Sequence, residues 1–144
     1  AQFDVCLLAP NIGIIIFEVK AWKRDTILRV ENGDRIVIKS FNEETQKEEE
    51  SFENPTDQAR GYVYKMRQKV RTKTGKNPLI YEMVCFPNLT KREYDDAGIE
   101  PVCESEITIV KEDLASKADF YAKMNLAMKN RKGQPPWMRK DLPS

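Results

Sequence analysis

Two apolar runs open the chain, with a turn signal between them. "QFDVCLLA" (2–9) and "GIIIFEVKAW" (13–22) are rich in β-branched and aromatic residues and flank Pro10-Asn11-Ile12-Gly13, so the pattern predicts a β-hairpin. Ile27 to Val30 and Arg35 to Ile38 predict a second hairpin around Asn32-Gly33-Asp34. Residues 42–53 are polar, with acidic runs at 43–44 and 48–50, and read as a solvated loop rather than a site. Asn54 and Pro55 suit the start of a helix, and Ala59, Tyr62, Val63, Met66 and Val70 recur at helical spacing, which predicts a helix over about 55–72. Leu79 to Phe86 is a continuous apolar run, expected as a central strand. A short helix at 91–97, a strand at 107–110 and a helix at 111–130 complete the order β-β-β-β-α-β-α-β-α. The fold expected is α/β: a mixed central sheet with an antiparallel N-terminal meander and flanking helices. Residues 1–131 form the expected domain, and the Pro-rich 132–144 a tail or linker in which Trp137 offers a stacking surface.

Composition narrows the chemistry. At 144 residues the chain can bury a core, and with 33% charged and 40% hydrophobic residues it should be soluble. It has no histidine, which excludes Cys/His zinc sites, Ser-His-Asp triads and Cys-His dyads. Cys6, Cys85 and Cys103 form no CxxC pair and are expected as free buried thiols of a reducing, cytoplasmic compartment. No apolar run approaches the roughly 20 residues of a membrane span.

The first hairpin carries the candidate site. Glu18 and Lys20 are two apart on a strand and share a face, with Val19 on the other. A loop of three or five residues would set Asp4 across from Glu18 or Lys20, whereas a two-residue loop would set it across from Val19. With the longer loop, two carboxylates and an ammonium converge among apolar residues, where uncompensated charge is costly. A divalent cation with oxygen ligands is one compensation, and the lysine could then hold a water or stabilise phosphate charge. The competing reading is a plain ion pair at a solvated strand end.

Asp4, the turn and Glu18-Val19-Lys20 followed by aromatic Trp22 resemble the NERD (nuclease-related) domain of the PD-(D/E)XK nuclease superfamily. "NPTDQ" at 54–58 is similar to the Asn-Pro-x-x-Gln of that family, Gln58 and Tyr62 match the Gln-x-x-x-Tyr of RecB-like nucleases, and "VCFPNL" at 84–89 resembles the strand that follows. The resemblance implies a restriction-endonuclease-like fold and a Mg²⁺- or Mn²⁺-dependent nuclease. Asp4, Glu18 and the Val19 carbonyl would be ligands, Lys20 would position the water and Gln58 would support the site. It also implies an N-terminal helix carrying a further acid, expected upstream of this sequence, and a fused helicase module.

From Gln58 to Tyr81 there is no acidic residue, while Arg60, Lys65, Arg67, Lys69 and Arg71 cluster on the helix. With Tyr62 these are the candidate DNA contacts, against the alternative of a solvated face. Three readings stay open: a metal-dependent deoxyribonuclease, a non-catalytic DNA-holding module, and an assembly domain whose exposed sheet pairs with a second copy.

Overall fold

The computed structural model describes residues 2–9 and 13–131, with side chains at 5–8 and 13–129; the expected tail, 132–144 with Trp137, and residues 10–12 of the turn lie outside these. Strand β1 (Gln2–Ala9) pairs antiparallel with β2 (Gly13–Lys20). Strands β3 (Ile27–Glu31), β4 (Arg35–Asn42) and β5 (Lys47–Glu53) follow, then helix α1 (Pro55–Thr74) and strand β6 (Ile80–Phe86). Helix α2 (Lys91–Ala97), strand β7 (Thr108–Val110) and helix α3 (Lys117–Arg131) end the described chain. Two sheets result: a mixed one in the order β1-β2-β6-β7 and an antiparallel one in the order β3-β4-β5.

The mixed sheet is a layer between two helices. Alternation along β2 sends Ile15, Phe17 and Val19 to one face, where they pack with Met83, Cys85 and Ile109 against Met124, Ala127 and Met128 of α3. Ile14 and Ile16 point the other way and meet Ile80 and Val63, Tyr62 and Met66 of α1. The smaller sheet packs Ile36 and Ile38 against Val84, Phe86 and Val110, with Tyr94 of α2 completing that core.

Three expectations are corrected. Residues 42–53 are not one loop: only 43–46 turn between strands, β4 runs on to Asn42, and β5 pairs with it from Asn42↔Lys47 to Ile36↔Glu53. An edge strand tolerates the acidic run because its side chains reach water, and Arg29 takes Glu50 in two hydrogen bonds of 3.0 and 2.7 Å. The antiparallel meander is thus β3-β4-β5, a sheet of its own. The C-terminal helix does not begin at 111. Asp113 accepts from the Val110 amide in a single 3-10 turn, Lys111–Leu114, and the true start comes at Ser116, whose hydroxyl accepts from the Asp119 amide. Cys6, finally, is exposed on β1, while Cys85 and Cys103 are buried.

Among the described residues, no helix is long and apolar enough to cross a membrane. Burial pushes both the Cys85 and Cys103 thiols up to about 11. A thiol reagent at pH 8 should therefore label Cys6 fast and the other two only on unfolding, as mass spectrometry of a labelling time course would read. Equal labelling of all three would contradict this packing.

Gly13 is fixed by its surroundings. Its φ is +132°, and a Cβ there would collide with the Leu79 carbonyl oxygen, where β2 begins to pair with β6. Gly61, inside α1, has open space where a Cβ would go. Gly13→Ala should cost roughly 2 kcal/mol, whereas Gly61→Ala should add about 0.5–1 kcal/mol by helix propensity. Urea denaturation of the two variants checks the opposite signs.

Candidate active site

The face of β2 that meets α1 continues past Ile14 and Ile16 to Glu18 and Lys20. Their side chains are 0% and 1% exposed, and they are the buried charged residues among the described ones. The Lys20 Nζ lies 3.2 Å from Glu18 Oε1 and donates to Glu53 Oε1 at 2.5 Å. Glu53 is the last residue of β5 and stands across from buried Ile36, on the inward face of the smaller sheet. One ammonium thus links carboxylates from two sheets.

The next residues turn the chain into α1. Asn54 Oδ1 accepts from the Asp57 amide at 3.0 Å, and Asn54 Nδ2 donates to the Asp34 carbonyl at 2.7 Å, tying the helix start to the β3–β4 turn. Pro55 fills the first turn, where no amide donor is needed, and the buried Thr56 hydroxyl donates to the Val102 carbonyl at 2.7 Å. Held this way, the first turn aims Gln58 back at the strands, and its Nε2 donates to Glu53 Oε1 at 3.3 Å. Gln58 Oε1 is buried and accepts no hydrogen bond from a described residue. An acceptor placed so is poised for a water or a cation.

An aromatic wall closes the lysine side. Lys20 Nζ lies 5.6 Å from the centroid of the Trp22 ring, which stacks on Phe86 at 5.8 Å. Asn88 donates to the Ala21 carbonyl at 2.9 Å and pins the backbone between Lys20 and Trp22. On the far side of β2, the register sets Asp4 directly across from Glu18, with Ala9 across from Gly13, so the three-residue connection holds. The Asp4 side chain lies outside the described ones.

Glu18 and Glu53 both lie in ion-pair contact with Lys20. No group of three acids or cysteines forms a ready metal cage among the described residues. The oxygen donors present, Glu18, Glu53 and Gln58 Oε1, are nonetheless of the hard type that suits Mg²⁺.

The structure thus brings Glu18, Lys20 and Gln58 together and sets the Asp4 position beside them. Val19 turns its side chain into the core on the α3 face. Tyr62 is half-buried against the α1 core cluster. Arg60, Lys65, Lys69 and Arg71 are exposed along α1, and Arg67 is half-buried. Glu53 is the residue that sequence reasoning missed, because it closes a run of acids that reads as a loop. The available signal was its place beside the Asn-Pro helix start, about one helical turn before Gln58.

The family model of the nuclease-related domain, NERD, matches residues 1–87 of the 144, a span that takes in β1, β2, the β5–α1 junction and β6. The chain belongs to the NERD family. The PD-(D/E)XK superfamily follows from that membership, and the mixed α/β architecture is consistent with it. The NERD span contains the whole Glu18–Lys20–Glu53–Gln58 cluster, whereas α2, β7 and α3 lie beyond it. No curated protein and no solved structure matches the chain significantly.

Removing the lysine from this NERD cluster leaves Glu18 as a buried charge without its ammonium. Lys20→Met should cost about 3–5 kcal/mol, and adding Glu18→Gln should recover a large part of it. A double-mutant cycle in urea reads this coupling; additive losses would mean that the pair is not coupled.

Proposed function

We propose that this NERD domain is a Mg²⁺-dependent deoxyribonuclease that hydrolyses phosphodiester bonds. The observation that carries the reading is the buried Glu18–Lys20 pair, on one strand directly across from the Asp4 position, with Gln58 brought in from α1. Asp4, Glu18 and the Val19 carbonyl would hold the metal, with Gln58 Oε1 beside them. When bound, the cation supplies charge stabilisation to the phosphate and acidifies a water.

The chain's own residues do the positioning. Lys20, oriented by Glu18 and Glu53, offers a donor to the attacking water or to a phosphate oxygen. Gln58, anchored on Glu53 by its amide nitrogen, keeps its oxygen free to accept from that water. Trp22 and Phe86 limit water on the lysine side, which strengthens each interaction there. Exposed Lys65 and Lys69 on the same helix as Gln58 would take the DNA backbone. The family resemblance extends the proposal to work alongside a helicase module in the cytoplasm.

A second reading, a non-catalytic DNA-holding module, is favoured by the tight embrace of Lys20: a lysine that donates to Glu53 and lies in ion-pair contact with Glu18 serves stability as well as chemistry. Plasmid nicking separates the two. With Mg²⁺ present the unaltered chain should nick DNA. Glu18→Gln should lower the rate by roughly 100-fold or more, and Glu53→Gln, which misplaces Lys20 and Gln58 together, by a smaller factor. Chelation should stop cleavage. Tight DNA binding with no nicking under any metal would establish the holding module instead.

A further inference from the structure

The basic residues of α1 do not form one surface. Its buried stripe is Ala59 and Val63, with half-buried Tyr62 and Met66 beside them on the core. At about 100° per residue, Arg60, Arg67 and Arg71 fall about a quarter-turn to one side of that stripe, and Lys65 and Lys69 about a quarter-turn to the other. Gln58 lies on the lysine flank, so only the lysines continue the surface that leads to Glu18 and Lys20. The arginine flank faces away from that site and needs its own explanation.

Two features of that flank point to a ligand. Tyr64 stands among the arginines at 63% exposure, four residues from Arg60 and three from Arg67. A large aromatic ring left in water on a helix face gains nothing for folding. Gly61 lies one turn before Tyr64, with a Cβ position that meets nothing within 4 Å and a φ outside the left-handed region. Neither packing nor backbone geometry requires glycine there, and glycine weakens a helix interior. What Gly61 provides is a bare, flat patch beside an exposed ring. The arginines are partly pre-set: Arg71 Nε donates to Asn77 Oδ1 at 2.7 Å, which steadies its outer nitrogens, while Arg60 makes only a loose 3.9 Å contact with exposed Asp57.

We infer that the Arg60–Tyr64–Arg71 flank of α1 is a binding track for single-stranded DNA, separate from the lysine flank. A base stacks on Tyr64 above Gly61, and the arginines take the adjoining phosphates. The strand must be single because a ring on a convex helix can stack only on a base whose face is open, and within a duplex those faces are covered by neighbouring pairs. This rests on the reading of the chain as a DNA-acting domain and adds the substrate class: DNA with a single-stranded segment, held on one flank while the other flank serves the site.

The test is binding without cleavage. A labelled oligothymidylate and a blunt duplex of the same length are titrated with the chain in chelator. Tyr64→Leu should weaken oligothymidylate binding roughly tenfold and leave duplex binding within about twofold, whereas Tyr64→Phe, which still stacks, should bind like the unaltered chain. Gly61→Leu, which covers the patch, should act like Tyr64→Leu. Replacing Lys65 and Lys69 by Gln should instead weaken both DNAs. The inference is overturned if Tyr64→Leu leaves single-strand affinity unchanged, if both DNAs weaken equally, or if the unaltered chain fails to bind the oligothymidylate. Mg²⁺-dependent nicking by the unaltered chain is scored separately, so a failure of the nuclease reading leaves the binding result standing, and the reverse holds.

Discussion

The Lys20 ammonium sits where three separately built pieces of the chain meet. Glu18 and Lys20 come from the middle sheet, Glu53 from the end of the smaller sheet, and Gln58 from the first turn of α1. A charge buried to 1% exposure cannot tolerate a loose arrangement, because each missing partner leaves desolvation uncompensated. The position of β5 relative to β2, and the direction in which α1 starts, are therefore tied to one nitrogen atom. The rest of the site follows from that constraint.

The surrounding fold reinforces it with neutral contacts. Asn54 clamps the helix start to the β3–β4 turn, Thr56 ties it to Val102, and Asn88 holds the backbone after Lys20. These are hydrogen bonds to backbone carbonyls, whose positions are set by secondary structure rather than by flexible side chains. The consequence is a rigid floor under a charged cluster. The same helix that delivers Gln58 at its buried end carries basic residues on two flanks, so a single element links the site to the basic surfaces of the domain.

Much of this was legible along the chain. Period-two alternation and the Asn32-Gly33 signal located β1 to β4, and the apolar spacing from Ala59 to Val70 located α1 within two residues of its end. The hairpin arithmetic left Asp4 opposite Glu18, Lys20 or Val19, and the register decided for Glu18. Composition misled at 47–53, where an edge strand hides acids that would be unacceptable in a central one, and at Cys6, whose apolar neighbours suggested burial on what is the outermost described strand of its sheet.

Glu53 marks the division between the two sources. The sequence alone determined that Glu18 and Lys20 share a face, that Gln58 opens a helix and that the basic residues cluster on it, because those are local matters of period and capping. That Glu53 reaches across 33 residues to Lys20 was decided only by the tertiary structure. The pairing of β5 with β4, and the packing of that sheet onto Val84 and Phe86, bring together groups that no spacing along the chain relates. A long-range ion pair is selected by the geometry of packed layers and by the cost of a buried unpaired charge, and neither is written in a local pattern.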